Sequence, residues 1–294
     1  MNNQIKPLIS IIIPTYNHAN YLGKALNSIL DQSYNNWEVI VIDNHSTDKT
    51  VNVINRFNDK RIRYIKIHNN GIIAKSRNKG ILLSKGEWIA FLDSDDWWSL
   101  NKLKICVEHI NSDVDLIYHD LEIISNERLP FKRKTVRSRH LKKPVLIDLL
   151  VGGNAISNSS VIVRKNILEK VGLINEKKEL IAAEDYNTWL KIAAVSDKFL
   201  YLSKRLGYYF VHDRSVSKKN MALSIQQATS EFLSILNDKQ KIKLESNTRY
   251  ISGRFYYLNH DYKKAKKDLL FTLCHGLFSL KLKALFMILV IILK

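Results

Sequence analysis

Three carboxylates stand within four residues in Asp93-Ser94-Asp95-Asp96, directly after the apolar segment Trp88–Leu92. Carboxylates this close together repel one another unless a cation lies among them. Hard oxygen ligands suit Mg²⁺ or Mn²⁺, and such ions commonly share their coordination between carboxylates and a diphosphate. A metal held here would neutralise charge that develops on a diphosphate leaving group. The alternative interpretation is a solvated acidic turn in which Asp95 or Asp96 caps the next helix.

Two further polar groups can recognise a hydroxyl-bearing or phosphorylated ligand. Asp43 and Asn44 follow an apolar segment, where a carboxylate and an amide can pair with a base edge or with ribose hydroxyls. Arg77, on the helix before the acidic cluster, can reach a phosphate with a forked hydrogen bond. Each has a plainer alternative, because turn residues often satisfy their own backbone and a single helical Arg is most often a solvated charge.

The later part of the chain adds candidates for proton transfer and ligand contact. Glu184 and Asp185 precede Trp189 at a predicted helix start, and either carboxylate could remove a proton from an attacking hydroxyl. Trp189, about one turn later, could form an apolar platform for a sugar ring. The alternative is acids favoured by the helix dipole and a tryptophan in the core. His212 follows an aromatic strand and could complete a metal site or touch phosphate, although a lone histidine usually does neither.

The elements that carry these residues follow a regular alternation. Apolar runs separated by segments of helical periodicity predict a βαβ series over the first 120 residues. This order indicates an α/β fold with an open, mainly parallel sheet flanked by helices on both faces. Ligands bind such sheets outside the carboxyl ends of the strands. Four predicted strand ends are polar, which places the following clusters at one edge: Pro14-Thr15-Tyr16-Asn17, Asp43-Asn44-His45-Ser46, His68-Asn69-Asn70-Gly71 and Asp93-Ser94-Asp95-Asp96.

Residues 121–150 lack a clear periodicity and are interpreted as a loop, whereas the chain beyond about residue 220 is predicted to be helical. Strand Ser160–Val163 and a helix near Glu184–Val195 lie between them. The predicted C-terminal helices are Ala222–Leu236, Asn247–Asn259, Tyr262–Cys274 and Leu277–Leu293.

The chain of 294 residues carries a formal net charge of +18, and the charge is uneven. Residues 201–294 hold 17 Lys and Arg against 6 Asp and Glu, and Lys132–Lys143 holds seven Lys and Arg without an acid. Such a positively charged surface could bind nucleic acid, an anionic membrane or a phosphate-bearing substrate. Nucleic acid is disfavoured because no aromatic residue is interleaved in Lys132–Lys143 and the acidic cluster would repel phosphate without a metal.

Two distant cysteines, Cys106 and Cys274, indicate neither a disulfide framework nor a cysteine metal site, and a reducing cytosolic setting fits them.

The ten apolar residues Ala284–Leu293 are preceded by Lys281 and Lys283 and closed by Lys294. A spanning helix needs roughly 20 apolar residues, so this segment is predicted to lie in a membrane interface with its lysines near anionic headgroups. A buried terminal helix or a contact between two copies is the alternative.

Taken together, the segments resemble the GT-A fold glycosyltransferase family 2, the group that includes bacterial polysaccharide and O-antigen transferases. The resemblance covers about residues 8–215, and it is specific because the segments occur in order at family-like spacing. They are Ile11–Asn17, Val41–Asp48, Ser76–Gly80, Lys85–Ile89, Phe91–Asp96, Ala183–Tyr186 and Trp189-Leu190.

The resemblance implies a role for each matching residue. The nucleotide would be held by Pro14, Thr15, Tyr16, Asp43, Asn44, Arg77 and Ser94. A divalent metal, Mn²⁺ or Mg²⁺, would be held by Asp93, Asp95 and His212, with Asp95 as the most direct ligand. Asp185 would be the catalytic base with Glu184 as the alternative, and Trp189 would contact the acceptor. The family often has two acids and a glycine where this chain has Asp43-Asn44-His45, which leaves the nucleotide open, with UDP favoured.

The resemblance also implies the activity. It predicts an inverting glycosyltransferase that moves a sugar from a nucleotide-sugar to a saccharide acceptor, lipid-linked in bacterial surface polysaccharide synthesis, on the cytoplasmic face of the cell membrane. A GT-A domain over residues 1–217 and a helical, membrane-associating region over 218–294 are expected. The alternatives are a non-catalytic scaffold of the same fold and a nucleic-acid-binding protein.

Overall fold

The structure is a computed structural model, which describes residues 6–125, 135–136, 138–213 and 219–293. The chain forms two compact units that alternate along the sequence. The first unit comprises Met1–His140, Ile156–Glu176 and Val195–His212, and the second comprises Leu141–Ala155, Lys177–Ala194 and Asp213–Lys294. The single domain boundary after residue 217 stays a prediction.

The first unit contains a mixed sheet, which has nine strands in the described part of the chain. Its strand order is β3-β2-β1-β4-β8-β6-β9-β5, and β7 pairs with β6 at one side. The strands are β1 Ile9–Thr15, β2 Trp37–Asp43, β3 Ile62–Lys66, β4 Trp88–Phe91, β5 Trp97–Trp98, β6 Leu116–Ser125, β7 Thr135–Val136, β8 Ile162–Arg164 and β9 Phe199–Val211.

The helices divide between the two units. They are α1 Ala19–Leu30, α2 Thr50–Ile54, α3 Ile73–Leu83, α4 Lys102–Val107, α5 Val145–Gly152, α6 Lys165–Lys170, α7 Glu184–Ala193, α8 Ala222–Thr229, α9 Asp238–Leu258, α10 Tyr262–His275 and α11 Phe278–Ile292. Helices α1 to α4 and α6 belong to the first unit, and the others belong to the second.

The α/β class predicted from the sequence is confirmed. The strands of the predicted βαβ series form the parallel half of the sheet. Strand β1 pairs in parallel with β2 and β4, and β2 pairs in parallel with β3. The other half departs from the series, because β8 inserts between β4 and β6 and is antiparallel to both. The parallel pairing of β6 with the long strand β9 completes this half.

The core of the first unit forms because the predicted apolar faces meet. Every residue of β1 and β2 is buried, as expected for central strands covered on both faces. Helix α1 buries Leu22, Ala25, Leu26 and Ile29, the stripe that its periodicity predicts. The ends of β1, β2 and β4 are therefore held at fixed positions along one edge of the sheet.

The second unit is helical in its described residues. Helix α9 starts at Asp238, nine residues before the predicted Asn247, because Asn237 and Gln240 form a reciprocal capping box. The interpretation of 121–150 as a loop is wrong at both ends, since it contains the end of β6 and helix α5. Part of the basic stretch, residues 132–134 and 137, lies outside the described residues, as does Lys294.

Helices α9, α10 and α11 pack around a small apolar core of Ala265, Leu269, Ala284, Met287 and Ile288. The other side of α11 is solvent-exposed although the helix is almost wholly apolar. Its exposed large apolar residues are Phe278, Leu282, Leu285, Phe286, Leu289 and Ile292. Within the described ranges, we find no helix with both the length and the apolar character needed to cross a bilayer.

Candidate functional site

The first three parallel strands end in a connected set of polar side chains. Asn17, just beyond β1, adopts a positive φ of 51° and its Oδ1 accepts the backbone N–H of Thr47 at 2.8 Å. Ser46 Oγ in turn accepts the N–H of Asn17 at 2.8 Å. The ends of β1 and β2 are thereby locked together. Beside them, Tyr16 is 52% exposed, whereas the buried Thr15 Oγ1 has no hydrogen-bond partner within the described residues.

Asp43, at the end of β2, is fully buried and organises the turn that follows it. Its Oδ1 accepts the Ser46 hydroxyl at 2.5 Å, and its Oδ2 accepts the Tyr64 hydroxyl at 2.5 Å. Burial, together with the hydrogen bond to and the charge of Asp43, raises the pKa of Tyr64. The carboxylate is thus occupied by protein donors, and its predicted contact with nucleotide remains a prediction.

Asn44 has a fixed amide orientation. Its Oδ1 accepts the backbone N–H of Asn69 at 2.9 Å, so the Nδ2 hydrogens are the groups left to meet a ligand. Next to it, His45 has a positive φ of 53° and its ring stacks on His68 at 3.7 Å between centroids. This is the place where the family resemblance is weakest.

Arg77 and Asn158 hold the first carboxylate of the acidic cluster. Arg77 Nη2 donates to Asp93 Oδ1 at 2.8 Å, and Asn158 Nδ2 donates to the same oxygen at 3.0 Å. Arg77 is only 3% exposed. The predicted phosphate contact of Arg77 therefore stays a prediction, and in the structure Arg77 forms an ion pair with Asp93. Asn158 comes from the segment before β8 and was not predicted.

The prediction that Asp96 caps the next helix is wrong. The residue that precedes α4 is Asn101. Asp96 is 2% exposed and its Oδ1 accepts the backbone N–H of Phe210 in β9 at 3.0 Å. Burial raises the pKa of Asp96 well above its usual value, and the charges of Asp95 and Asp93 add to the effect. Asp96 thus ties the acidic cluster to β9.

Asp95 and His212 are brought together, as the resemblance implies. His212 Nε2 lies 2.9 Å from Asp95 Oδ2. The imidazole is enclosed by rings, since it stacks on Tyr21 at 4.9 Å and on Phe210 at 5.7 Å, and His18 lies edge-on at 6.0 Å. His18 also bonds to the acidic cluster, with Nδ1 2.7 Å from Ser94 Oγ.

His18 was missed from the sequence, although it directly follows the polar end of β1. Burial lowers the pKa of His18, against the opposing effect of the nearby Asp95 charge. Its place between the β1 end and the acidic cluster makes it part of the same site.

The donor atoms at this edge are compatible with a divalent metal bound together with a diphosphate. Across the described residues, no group of three or more His, Cys, Asp or Glu side chains is arranged to hold a metal by itself. Asp95 and His212 are paired, whereas Asp93 is engaged by Arg77 and Asn158. Mg²⁺ and similar ions often use one or two protein carboxylates plus substrate phosphates, so this set fits a metal that arrives with its nucleotide.

Glu184, Asp185 and Trp189 lie on α7 of the second unit. Asp185 is partly exposed and its Oδ1 accepts the N–H of Tyr186 at 2.6 Å, whereas Glu184 is 7% exposed. The prediction that Trp189 forms a platform for the acceptor is wrong, because the residue is 1% exposed and packs in the protein interior. No exposed face of Trp189 remains to receive a sugar.

The sheet with a parallel half, polar strand ends and an acidic cluster beside them has the architecture of the GT-A fold. Residues 10–172 match the family described as glycosyl transferase family 2, and the chain belongs to that family. It is a glycosyltransferase.

Named relatives agree with this assignment, and a solved structure shares the fold. An uncharacterized glycosyltransferase of Nostoc sp. is 32% identical over 251 residues, 83% of this chain and 74% of the relative. The Escherichia coli UDP-Glc:alpha-D-GlcNAc-diphosphoundecaprenol beta-1,3-glucosyltransferase WfaP is 29% identical over 86% of this chain and 93% of its own. Some relatives are longer, and the chain spans 44% of one of them. Residues 1–349 of S. aureus TarS, solved in complex with UDP-GlcNAc, share the fold with a TM-score of 0.65 and 21% identity over 90% of this chain and 80% of that one.

Proposed function

We propose that this glycosyltransferase moves a sugar from a UDP-sugar to a saccharide carried on a lipid diphosphate, with inversion at the anomeric carbon. The observation that carries the proposal is the Asp95–His212 pair at the strand-end edge, next to the Arg77–Asp93 ion pair. Two similar proteins support these substrates, because WfaP uses a UDP-glucose donor and a diphosphoundecaprenol-linked acceptor, and the TarS complex contains UDP-GlcNAc.

The nucleoside would lie along the ends of β1 and β2. Tyr16 offers an exposed ring, Asn44 offers the two hydrogens of its Nδ2, and the buried Thr15 hydroxyl has no hydrogen-bond partner among the described residues. Such donors can meet the carbonyl oxygens of uracil, and UDP is the nucleotide named for the similar proteins WfaP and TarS. Pro14, at the same edge, and Asp43 would shape the pocket from behind.

The diphosphate would lie over Ser94 and Asp95. Asp95 and His212 would hold Mn²⁺ or Mg²⁺, with Asp93 as the second carboxylate of the cluster, and the bound ion would neutralise charge on the departing nucleoside diphosphate. The Arg77 guanidinium keeps the Asp93 carboxylate in place and lowers the repulsion among the three acids, so that the cluster is organised before substrate arrives.

Asp185 would remove the proton from the acceptor hydroxyl as that oxygen attacks the anomeric carbon. A single displacement of this kind needs one carboxylate base, and it inverts the configuration at that carbon. Asp185 is preferred over Glu184 because Asp185 is the more exposed of the two, whereas Glu184 is buried. The assignment rests on the sequence resemblance and on this difference in exposure.

The second unit would dock the enzyme on the anionic cytoplasmic leaflet, where a lipid-linked acceptor is found. The exposed side of α11 is apolar, and Lys281 and Lys283 lie in its first two turns. Exposed lysines of α10, namely Lys263, Lys264, Lys266 and Lys267, add positive charge. An apolar helix face beside lysines is the composition that an anionic membrane interface attracts.

The proposal is tested by nucleotide binding and by release of UDP. A thermal-shift panel of nucleoside diphosphates and nucleotide-sugars, with Mn²⁺ and with a chelator, should select UDP and should require the metal. Asp95→Ala and His212→Ala should lose the metal-dependent shift, whereas Asp113→Ala, which changes an exposed acid elsewhere, should keep it. Equal shifts by all nucleosides, or a full shift in Asp95→Ala, would overturn the proposal.

A further inference from the structure

His18 links the two halves of the candidate diphosphate site. Its Nδ1 lies 2.7 Å from Ser94 Oγ in the acidic cluster, and its ring contacts the imidazole of His212 edge-on, at 6.0 Å and 84°. His212 returns to the same cluster through Asp95 at 2.9 Å. The four residues thus form a closed circuit of contacts that joins the start of α1, the acidic cluster and the end of β9.

The side chain of His18 is free for this role because the start of α1 does not use it. His18 precedes α1, but it makes no side-chain capping bond, and the N–H of Ala19 is accepted by Asp48 Oδ2 at 3.0 Å. Tyr21, one turn further along, packs edge-on against His18 at 5.5 Å and stacks on His212. The start of α1 therefore supplies both rings that orient His212 from one side.

We propose that His18 is a positioning residue of the donor site, which sets the orientation of Ser94 and His212 and thereby aims the Asp95 carboxylate at the diphosphate. This inference rests on the proposed function. The stacking of His212 on Tyr21 and Phe210 sets the plane of the imidazole that faces Asp95. His18 adds the hydrogen bond to Ser94 and the edge-on contact with His212, so that the acidic cluster is ordered before substrate binds and less ordering is needed on binding.

The two contacts can be separated by substitution. His18→Phe keeps a ring against Tyr21 and His212 but loses the bond to Ser94, and Ser94→Ala removes the same bond from the other side. His18→Asn places an amide where Nδ1 lies and can keep the bond. His109→Phe, two residues after α4, is the matched control because it removes a histidine whose Nδ1 bonds to the nearby carbonyl oxygen of Ile105.

The measurements are the calorimetric affinity for UDP with Mn²⁺ and the kcat and KM for UDP-sugar cleavage. We expect His18→Phe and Ser94→Ala each to weaken UDP binding by about ten-fold. The double variant should bind UDP no more weakly than Ser94→Ala alone, since both substitutions remove the same His18–Ser94 bond. His18→Asn should recover most of the affinity, and His109→Phe should match wild type.

A merely structural role gives a different pattern, in which His18→Phe lowers Tm but leaves the affinity for UDP and the KM unchanged. That result, or additive losses in the double variant, overturns the positioning role while wild type still binds UDP. Wild-type protein that neither binds UDP nor cleaves a UDP-sugar overturns the proposed function itself, and the two failures are therefore distinguishable.

Discussion

Replacing Arg77 with methionine should destabilise the protein through the acidic cluster. Arg77 is 3% exposed and its Nη2 donates to Asp93 Oδ1 at 2.8 Å, next to Asp95 and Asp96. Breaking a buried ion pair costs about 3–5 kcal/mol, and the Asp93 side chain is 29% exposed, so solvent reduces the cost to about 2–3 kcal/mol. Such a loss corresponds to a fall in Tm of roughly 4–10 °C.

A double-mutant cycle in urea and thermal unfolding measures this cost. Asp93→Asn removes the charge that Arg77 neutralises, so the Arg77→Met/Asp93→Asn variant should be more stable than the sum of the two single changes predicts. Arg205→Met is the control, because Arg205 lies 3.9 Å from Glu122 with both side chains exposed, and it should cost less than about 0.5 kcal/mol. A cost for Arg77→Met no larger than that for Arg205→Met, or a cycle without coupling, would show that the Arg77–Asp93 pair does not stabilise the protein.

Three further predictions concern packing, titration and membrane contact. Gly86→Ala should destabilise by about 1–3 kcal/mol in urea unfolding, because an added Cβ would collide with the carbonyl oxygen of Leu8; wild-type stability would contradict the packing. Burial lowers the pKa of Lys102 from 10.5 to about 7 in the folded protein. Between these two pH values the Lys102 amine is protonated in the unfolded chain but neutral in the folded one, so the free energy of unfolding should rise with pH across this window. Lys102→Met should be more stable at pH 7 by roughly 1–4 kcal/mol and should lack the rise, and an equal rise in both proteins would refute this. Phe286→Glu with Leu289→Glu should abolish sedimentation with anionic vesicles and leave UDP binding intact, whereas unchanged sedimentation would exclude α11 as the docking face.

The sequence predicts the parallel half of the sheet well because its signals are local. Strands β1 and β2 are largely apolar, apart from Ser10 and Glu38, and each ends in a polar cluster, so both the edge and its side chains follow from the order of elements. Strand β8 has only three residues, and its antiparallel insertion beside β4 depends on pairing across the fold. A segment of three residues is too short for its periodicity to indicate which strand it pairs with.

The candidate site was likewise predicted only in part. The Asp95–His212 contact joins residues 117 positions apart, and it was anticipated only through the resemblance, not through any local pattern. Asn158, which is 65 positions from Asp93, and His18, which is 76 positions from Ser94, carried no such signal and were missed. Trp189 shows the opposite error: its residue type suggested a sugar platform, but its burial depends on packing that the spacing did not reveal.

The most direct test of the account is transfer of a sugar from UDP-glucose or UDP-GlcNAc to a synthetic lipid diphosphate bearing GlcNAc, followed by mass spectrometry with and without Mn²⁺. Wild type and Asp113→Ala should each give a product one sugar larger. No product should form with a chelator, with Asp95→Ala or with Asp185→Ala, although each variant still shows a folded protein's unfolding transition. Wild-type levels of product from Asp95→Ala or Asp185→Ala, or no product from any UDP-sugar with the wild-type enzyme, would contradict the proposed function.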